Sequence, residues 1–170
     1  RARARQMKRQ YGIGLLVVDY LQLATSPSKR SELSKVQEVS DISMGLKQIA
    51  RDLDIPVLVA SQLSRSVESR ENKRPTLSDL RESGSIEQDA DVVAFLYRPE
   101  YYLRQQLGAG SESTAASDSE RRKLMELQDQ IEKLKGVTEL IIAKHRNGPT
   151  DTVRLLFQPQ TTTFHAYAAR

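Results

Sequence analysis

The hydrophobic positions of the chain follow two different periods in its first sixty residues. Residues 13–20 and 57–60 are nearly unbroken apolar runs, which are typical of strands buried on both faces of a parallel sheet. Between them, apolar residues recur every three or four positions from about Ser34 to Leu53, which predicts an amphipathic helix. Strand, helix and strand in this order predict a parallel βαβ unit, so the fold class is α/β.

The second half of the chain contains three further strand-like runs. Residues 92–97 predict a third buried strand, and residues 137–145 and 150–157 predict two more. The last two runs are joined through Asn147-Gly148, and Asn-Gly between two such runs indicates a β-hairpin. We expect these late strands to form an antiparallel edge of the sheet.

Residues 103–136 have a different character and are interpreted as a flexible linker followed by an inserted helix. Residues 107–119 are rich in Gly, Ala and Ser, which is typical of a linker. An apolar stripe with helical spacing follows, formed by Leu124, Leu127, Ile131 and Leu134. The stripe predicts a helix that packs on its own domain; a partner-binding helix is the alternative.

The first ten residues are strongly basic. Residues 2–10 contain helix formers and no breaker, so they predict a short basic helix that ends at Tyr11-Gly12. Residues 1–10 hold five cations and no acid, whereas the 170 residues together carry 26 Lys+Arg against 22 Asp+Glu, a net charge of +4. The remainder of the chain therefore has a net charge of −1, which does not support a uniformly basic surface.

Composition narrows the classes of protein. The chain contains no Cys, which favours an intracellular protein and excludes a thiolate metal site. Its longest apolar runs have about seven residues, against roughly 20 for a membrane span, which excludes a membrane protein.

The predicted strands end in residues suited to nucleotide chemistry. Asp19 follows the first strand, and ligands of open α/β sheets bind outside the carboxyl ends of the strands, where a carboxylate can hold a metal ion. Gln62 follows the second strand, and its neutral amide can hydrogen-bond a phosphate oxygen. A loop glutamine that caps backbone groups is the alternative for Gln62.

Two further segments offer cations for phosphate. Residues 65–82 contain five Lys or Arg and four acids, and they are followed by Gly84, where backbone N–H groups can approach an anion closely. A solvated surface loop is the alternative for this segment. Lys144 and Arg146 lie at the predicted hairpin tip, from which a cation can reach into a site on another subunit.

In combination, these segments resemble the DnaB family of bacterial replicative helicases. The resemblance rests on GIGLLVVDYLQL at 12–23, IPVLVASQLSRSVE at 55–68, KRPTLSDLRESGSIEQDADVVAFLYR at 73–98 and AKHRNGPTDTVRLLF at 143–157. The RESGSIEQDAD part of the third block is long and distinctive. The whole chain, residues 1–170, is similar to the second half of the carboxyl-terminal RecA-like motor domain of that family.

The resemblance implies a role for each candidate residue. Asp19 matches the Walker B aspartate that coordinates Mg²⁺ through water, and Gln62 matches the glutamine that senses the γ-phosphate of ATP. Lys144 and Arg146 match the pair, including the arginine finger, that reaches the nucleotide of the neighbouring subunit. The residues that match the loop along single-stranded DNA are Arg81, Glu82 and Gly84.

The resemblance also implies a function for the parent protein. We expect an ATP-driven, homohexameric helicase that translocates on single-stranded DNA in the bacterial cytoplasm at the nucleoid, with a helicase loader and primase as candidate partners. The family's phosphate-binding loop is absent, since none of the eight glycines precedes a Lys. The chain begins with Arg, so we interpret it as a fragment that does not hydrolyse ATP alone.

Two alternatives remain for the function. The chain could be a non-catalytic interaction module that docks a loader or another replication factor, as the apolar stripe and the basic residues 1–10 suggest. It could also belong to a related RecA-like ATPase of recombination or circadian type, against which the RESGSIEQDAD block argues.

Overall fold

The computed structural model describes residues 1–24, 35–83, 86–110 and 118–167. The chain divides into two compact units, Arg1–Asp91 and Val92–Arg170. Each unit has its own sheet, parallel in the first and antiparallel in the second.

The first unit is built on a strand-helix-strand arrangement. Its elements are α1 (Ala2–Tyr11), β1 (Leu16–Val18), a 3₁₀ helix (Leu21–Leu23), α2 (Lys35–Leu53), β2 (Val57–Val59), α3 (Ser66–Ser69), a second 3₁₀ helix (Leu77–Ser83) and α4 (Ile86–Asp89). β1 and β2 pair in parallel with Val17 opposite Leu58, and α2 packs against β2. The predicted parallel βαβ unit is therefore confirmed.

The parallel pair has one open face. Val17 and Leu58, which lie opposite each other in the register, are 59% and 61% exposed, while their neighbours along each strand are half-buried. The prediction that both strands are buried on both faces is wrong for the described residues. α2 packs against β2, but the face that carries Val17 and Leu58 remains open to solvent.

The basic helix α1 ends where the sequence predicts. Gly12 adopts the left-handed conformation, with φ 63°, and donates its N–H to the carbonyl of Lys8 at 3.0 Å. Glycine adopts this conformation without the steric penalty of a Cβ atom. Arg5 pairs with Asp52 of α2 at 2.7 Å, so the helix is joined to the first unit by an exposed ion pair although it buries none of its side chains.

The second unit is an antiparallel sheet with two helices. Its elements are β3 (Val92–Tyr97), α5 (Pro99–Gly110), α6 (Asp118–Lys133), β4 (Val137–His145), β5 (Asp151–Gln158) and β6 (Thr163–Ala166). The strands pair in the order β3-β4-β5-β6. The predicted hairpin is confirmed as β4–β5, but it lies at the centre of a four-stranded sheet.

Two strands of this sheet differ from the prediction. β3 pairs with β4 in the antiparallel direction, and its alternate residues Val93 and Phe95 are buried while Val92 and Leu96 are exposed. The expectation of a fully buried strand is therefore wrong, because only one face of β3 meets the core of this unit. β6 was not predicted as a strand, and Phe164 on it contacts Phe157 of β5 with ring centroids 5.0 Å apart.

The region expected to hold a linker and an inserted helix contains two helices. α6 lies within the predicted insertion, whereas α5 begins before residue 103 and continues to Gly110, so residues 107–110 are helical rather than a linker. Residues 111–117 of the predicted linker lie outside the described residues. α6 packs against α5 with Ile131 buried, which favours internal packing for the apolar stripe over partner binding. Among the described helices, none has the length and apolar character to cross a membrane.

Candidate functional site

Asp19 lies at the carboxyl edge of the parallel strand pair. It directly follows β1, and its side chain is exposed. Backbone hydrogen bonds continue past both strands, from the Ala60 N–H to the Val18 carbonyl and from the Leu21 N–H to the Ala60 carbonyl, each 2.9 Å long. The carboxylate therefore projects from a backbone that is fixed on both sides of it.

Gln62 lies at the same edge, three residues after β2, with an exposed side chain. The expectation that its strand neighbours the strand of Asp19 is confirmed by the pairing of Val18 with Val59. Sequence reasoning missed Gln22, whose side-chain amide accepts a hydrogen bond from the Gln62 N–H and donates one to the Gln62 carbonyl, both 3.2 Å long. The only signal of this contact in the sequence is that Gln22 lies three residues after Asp19.

The predicted DNA loop begins in the 3₁₀ helix Leu77–Ser83. Arg81 and Glu82 lie on this helix and Gly84 lies outside the described residues. The base of the helix is held by Asp79, which is 4% exposed and whose carboxylate accepts hydrogen bonds from the Thr76 N–H at 2.7 Å, the Thr76 hydroxyl at 3.1 Å and the Arg70 guanidinium at 2.9 Å.

These hydrogen bonds decide the ionisation of Asp79. Burial alone would raise the pKa of its carboxyl group, but the hydrogen bonds from Thr76 and Arg70 stabilise the carboxylate more strongly. The pKa of Asp79 therefore lies below its ordinary value, and the group is charged at neutral pH. Arg70 also donates to the Arg74 carbonyl at 3.1 Å, so the charged pair connects residues 70–74 to the start of the 3₁₀ helix.

Lys144 and Arg146 lie at the β4–β5 connection, as predicted. Lys144 is half-buried within β4, opposite Val93, and Arg146 is exposed in the turn. The turn is braced by His145, whose Nδ1 lies 3.3 Å from the Pro149 carbonyl. The His145 ring also covers Gly148, where an added Cβ atom would overlap the ring. His145 thus has a structural role in this turn, as expected.

The structure gathers the candidates into three places. Asp19 and Gln62 follow neighbouring strands of the first unit, Arg81 and Glu82 lie on a 3₁₀ helix of the same unit, and the third group, in the second unit, comprises Lys144 and Arg146. His165 pairs with Gln158 at 3.3 Å across β5 and β6, which agrees with a structural role for that histidine.

The residues at the strand edge fit a magnesium nucleotide better than a metal held by protein alone. Within the described part of the chain, no three His, Cys, Asp or Glu side chains form a group able to hold a metal ion. Mg²⁺ keeps several water ligands and commonly takes one or two carboxylates together with substrate phosphates. One exposed carboxylate, Asp19, is sufficient for that kind of site.

Comparison with known proteins decides the family. The family model described as "DnaB-like helicase C terminal domain" matches residues 1–166. The chain belongs to the DnaB-like helicase C-terminal domain family. This result confirms the resemblance that the sequence blocks indicated, and the parallel sheet with helices and antiparallel strands agrees with the partial RecA-like fold class.

Relatives within the DnaB-like family are much longer than this chain. It is 52% identical over 164 residues to the replicative DNA helicase DnaB of Rickettsia bellii (strain RML369-C), covering 96% of this chain and 32% of that protein. Identity to the replicative DNA helicase DnaB of Geobacillus stearothermophilus is 48%, covering 96% of this chain and 30% of that protein. The chain therefore spans about a third of the length of the curated relatives that it matches.

Solved structures of DnaB-like proteins have the same fold. A solved helicase ATPase domain matches with a TM-score of 0.75 and 41% identity, covering 98% of this chain and 50% of that domain. A DnaB-like replicative helicase, solved in a study of its interactions with primase, matches with a TM-score of 0.73 and 38% identity, covering 98% of this chain and 34% of that chain.

Proposed function

We propose that the chain is the second half of the RecA-like motor domain of a hexameric replicative DNA helicase, an ATP hydrolase that translocates on single-stranded DNA and unwinds the duplex at the replication fork. The observation that carries this proposal is the strand edge at which Asp19 and Gln62 follow adjacent parallel strands in a DnaB-like domain. The bacterial replicative helicases among its relatives support the proposed role.

The strand edge serves the nucleotide in this proposal. Asp19 holds Mg²⁺ through bound water, and the cation, when bound with ATP, neutralises charge on the phosphates. Gln62 donates a hydrogen bond from its amide to the γ-phosphate and relays the state of the nucleotide to the DNA-binding segment. A neutral amide suits this task because it binds a phosphate oxygen without a permanent charge, so its contact depends on geometry.

The other two groups serve the neighbouring subunit and the DNA. From the braced turn, Arg146 reaches the nucleotide of the adjacent subunit and stabilises charge that develops on the transferred phosphoryl group, with Lys144 as a second cation. The residues proposed to follow the backbone of single-stranded DNA are Arg81, Glu82 and Gly84. The Asp79 pair supports this role because it fixes the start of the helix that carries Arg81.

The proposal includes the parent protein's surroundings. It works as a homohexamer on single-stranded DNA in the bacterial cytoplasm, associated with the nucleoid, and a helicase loader and primase are its candidate protein partners. The open apolar face at Val17 and Leu58 supports the interpretation as half of a larger domain, because the rest of such a domain would cover it.

The test compares the full-length helicase with its Asp19→Ala variant. We expect Asp19→Ala to abolish Mg²⁺-dependent ATP hydrolysis and unwinding, whereas Asp118→Ala, at an exposed position of α6, leaves both unchanged. The separate chain of residues 1–170 is expected to show no ATPase activity. Full activity of the Asp19→Ala helicase, or an activity of residues 1–170 that this substitution removes, would contradict the proposal.

A further inference from the structure

Gln22 makes contacts that nothing in the proposed site requires of it so far. It lies in the 3₁₀ helix after β1, and its half-buried side chain turns toward the segment that follows β2. Its amide donates to the Gln62 carbonyl at 3.2 Å and to the Ser61 hydroxyl at 3.1 Å, and it accepts the Gln62 N–H at 3.2 Å. Gln22 thus occupies both backbone hydrogen-bonding groups of a single residue.

These hydrogen bonds replace strand pairing where the pairing stops. The backbone of the first segment stays paired with the second through the Leu21 N–H and the Ala60 carbonyl, and then curls into the 3₁₀ helix. The next backbone groups of the second segment would be left without partners there. The amide of Gln22 supplies one donor and one acceptor in their place, so Gln62 is held in register beyond the end of the sheet.

Such a pair of hydrogen bonds restricts the direction of the Gln62 side chain. The N–H and the carbonyl of one residue lie on either side of its Cα atom, so fixing both fixes the backbone from which the side chain departs. Leu21, which is 2% exposed, anchors the 3₁₀ helix on the other side. The exposed amide of Gln62 is therefore mounted on a rigid base that begins at Asp19.

We propose that Gln22 is a positioning residue that aims the γ-phosphate-sensing amide of Gln62 and couples it to the segment carrying Asp19. This inference rests on the proposed function, since it assigns a support to a sensor that the family resemblance implies. Gln22 itself contacts neither nucleotide nor DNA in this proposal. Its effect on hydrolysis passes through the backbone of Gln62.

The test is a double-mutant cycle in the full-length helicase. Gln22→Leu removes the donor and the acceptor, and Gln62→Ala removes the sensing amide while leaving its backbone. We expect Gln22→Leu to lower kcat for ATP roughly 10- to 100-fold, as small displacements of catalytic groups do, with KM changed less than about threefold. In the Gln62→Ala background, Gln22→Leu should have almost no further effect, because the group that it aims is gone.

Two controls make the result specific. Gln22→Glu keeps an acceptor for the Gln62 N–H but opposes the Gln62 carbonyl, so it should lower kcat as Gln22→Leu does. Gln128→Leu, at an exposed position of α6, should leave kcat unchanged, and thermal unfolding of each variant shows whether it folds.

The outcomes separate the inference from the proposed function. Additive losses in kcat, or a loss in KM alone, would overturn the positioning role and leave the function intact. A full-length helicase that hydrolyses no ATP would overturn both. If Gln22→Leu does not fold, the milder Gln22→Glu completes the cycle with Gln62→Ala, and additivity there is equally decisive.

Discussion

The buried carboxylate of Glu100 accepts a hydrogen bond of 2.6 Å from the backbone N–H of Gly136, 36 positions further along the chain. Glu100 lies in the first turn of α5, and Gly136 lies in the turn that leads into β4. The hydrogen bond therefore closes the loop that contains α5 and α6. Arg104 donates to the other carboxylate oxygen at 2.8 Å, so both oxygens of the buried group have partners.

Glu100→Ala should destabilise the second unit. It leaves the Gly136 N–H without its acceptor, and a buried polar group without a partner costs about 1–3 kcal/mol. Glu100→Gln keeps a neutral acceptor and should destabilise it less. Urea unfolding of the 170-residue chain measures both, with Glu126→Ala, at an exposed position of α6, as the control expected within about 0.5 kcal/mol. Equal stability of Glu100→Ala and Glu126→Ala would contradict the closing role of Glu100.

The two buried carboxylates predict a loss of stability in acid. Burial would raise the pKa of Glu100, but the Gly136 N–H and Arg104 hold it below 4.5, as Thr76 and Arg70 hold the pKa of Asp79 below 3.8. The charged groups therefore add stability that is complete above about pH 4.5 and is lost as the pH falls through the lower pKa values of the folded chain.

The measurement for this prediction is the free energy of unfolding as a function of pH. We expect it to fall below pH 4.5 in the 170-residue chain and to fall less steeply in the Asp79→Asn, Glu100→Gln double variant, because these groups no longer bind protons. An equal slope in both chains would show that other carboxylates govern the acid transition.

The parts of the fold that could be predicted depend on local patterns. The amphipathic period placed α2 within one residue of its observed start, and the apolar run with Asn147-Gly148 gave the bounds of β4 and the hairpin. The helix α5 was missed because its stability depends on an interaction that no local pattern contains, the hydrogen bond from Gly136 to Glu100.

The candidate site divides along the same line. Asp19 and Gln62 could be named because each follows an apolar run, and the run itself predicts a strand end. Gln22 could not be named, because its partner Gln62 is 40 positions away and becomes its neighbour only when β1 and β2 pair. The exposure of Val17 and Leu58 was likewise invisible, since an apolar run does not show which layers cover it.

The turn that carries Arg146 should be sensitive to a single methyl group. In Gly148→Ala the new Cβ would overlap the His145 ring, so the ring must leave its place beside the Pro149 carbonyl. We expect a decrease of about 1 kcal/mol in the free energy of unfolding, and almost none in a His145→Ala background. Gly108→Ala is the matched control, since its Cβ would meet no atom within 4 Å and α5 should be stabilised by up to about 1 kcal/mol. Additive effects of Gly148→Ala and His145→Ala would contradict the clash.

The assignment of Arg81 to DNA predicts a change in salt dependence. Removing one cation from a phosphate of single-stranded DNA lowers the slope of log K against log salt by about 0.7. Arg81→Ala in the full-length helicase should therefore weaken binding to single-stranded DNA and lower the slope by that amount, as measured by fluorescence anisotropy across a salt series. Arg121→Ala, at an exposed position of α6, removes the same charge and should leave the slope unchanged. An unchanged slope for Arg81→Ala would remove Arg81 from the DNA path.

The assignment of Arg146 as a finger that acts across the subunit interface predicts complementation. Arg146→Ala should lower ATP hydrolysis of the full-length helicase by about 10³-fold, while nucleotide binding, which does not depend on the finger, stays within about twofold. Asp19→Ala rings should be inactive for a different reason, because they lack the carboxylate of their own site. In mixed rings, a subunit with an intact Asp19 can lie beside a subunit with an intact Arg146, so part of the ATPase activity should return when the two inactive variants are mixed. If mixing restores nothing although the variants exchange subunits, Arg146 acts within its own subunit and the proposed role across the interface is wrong.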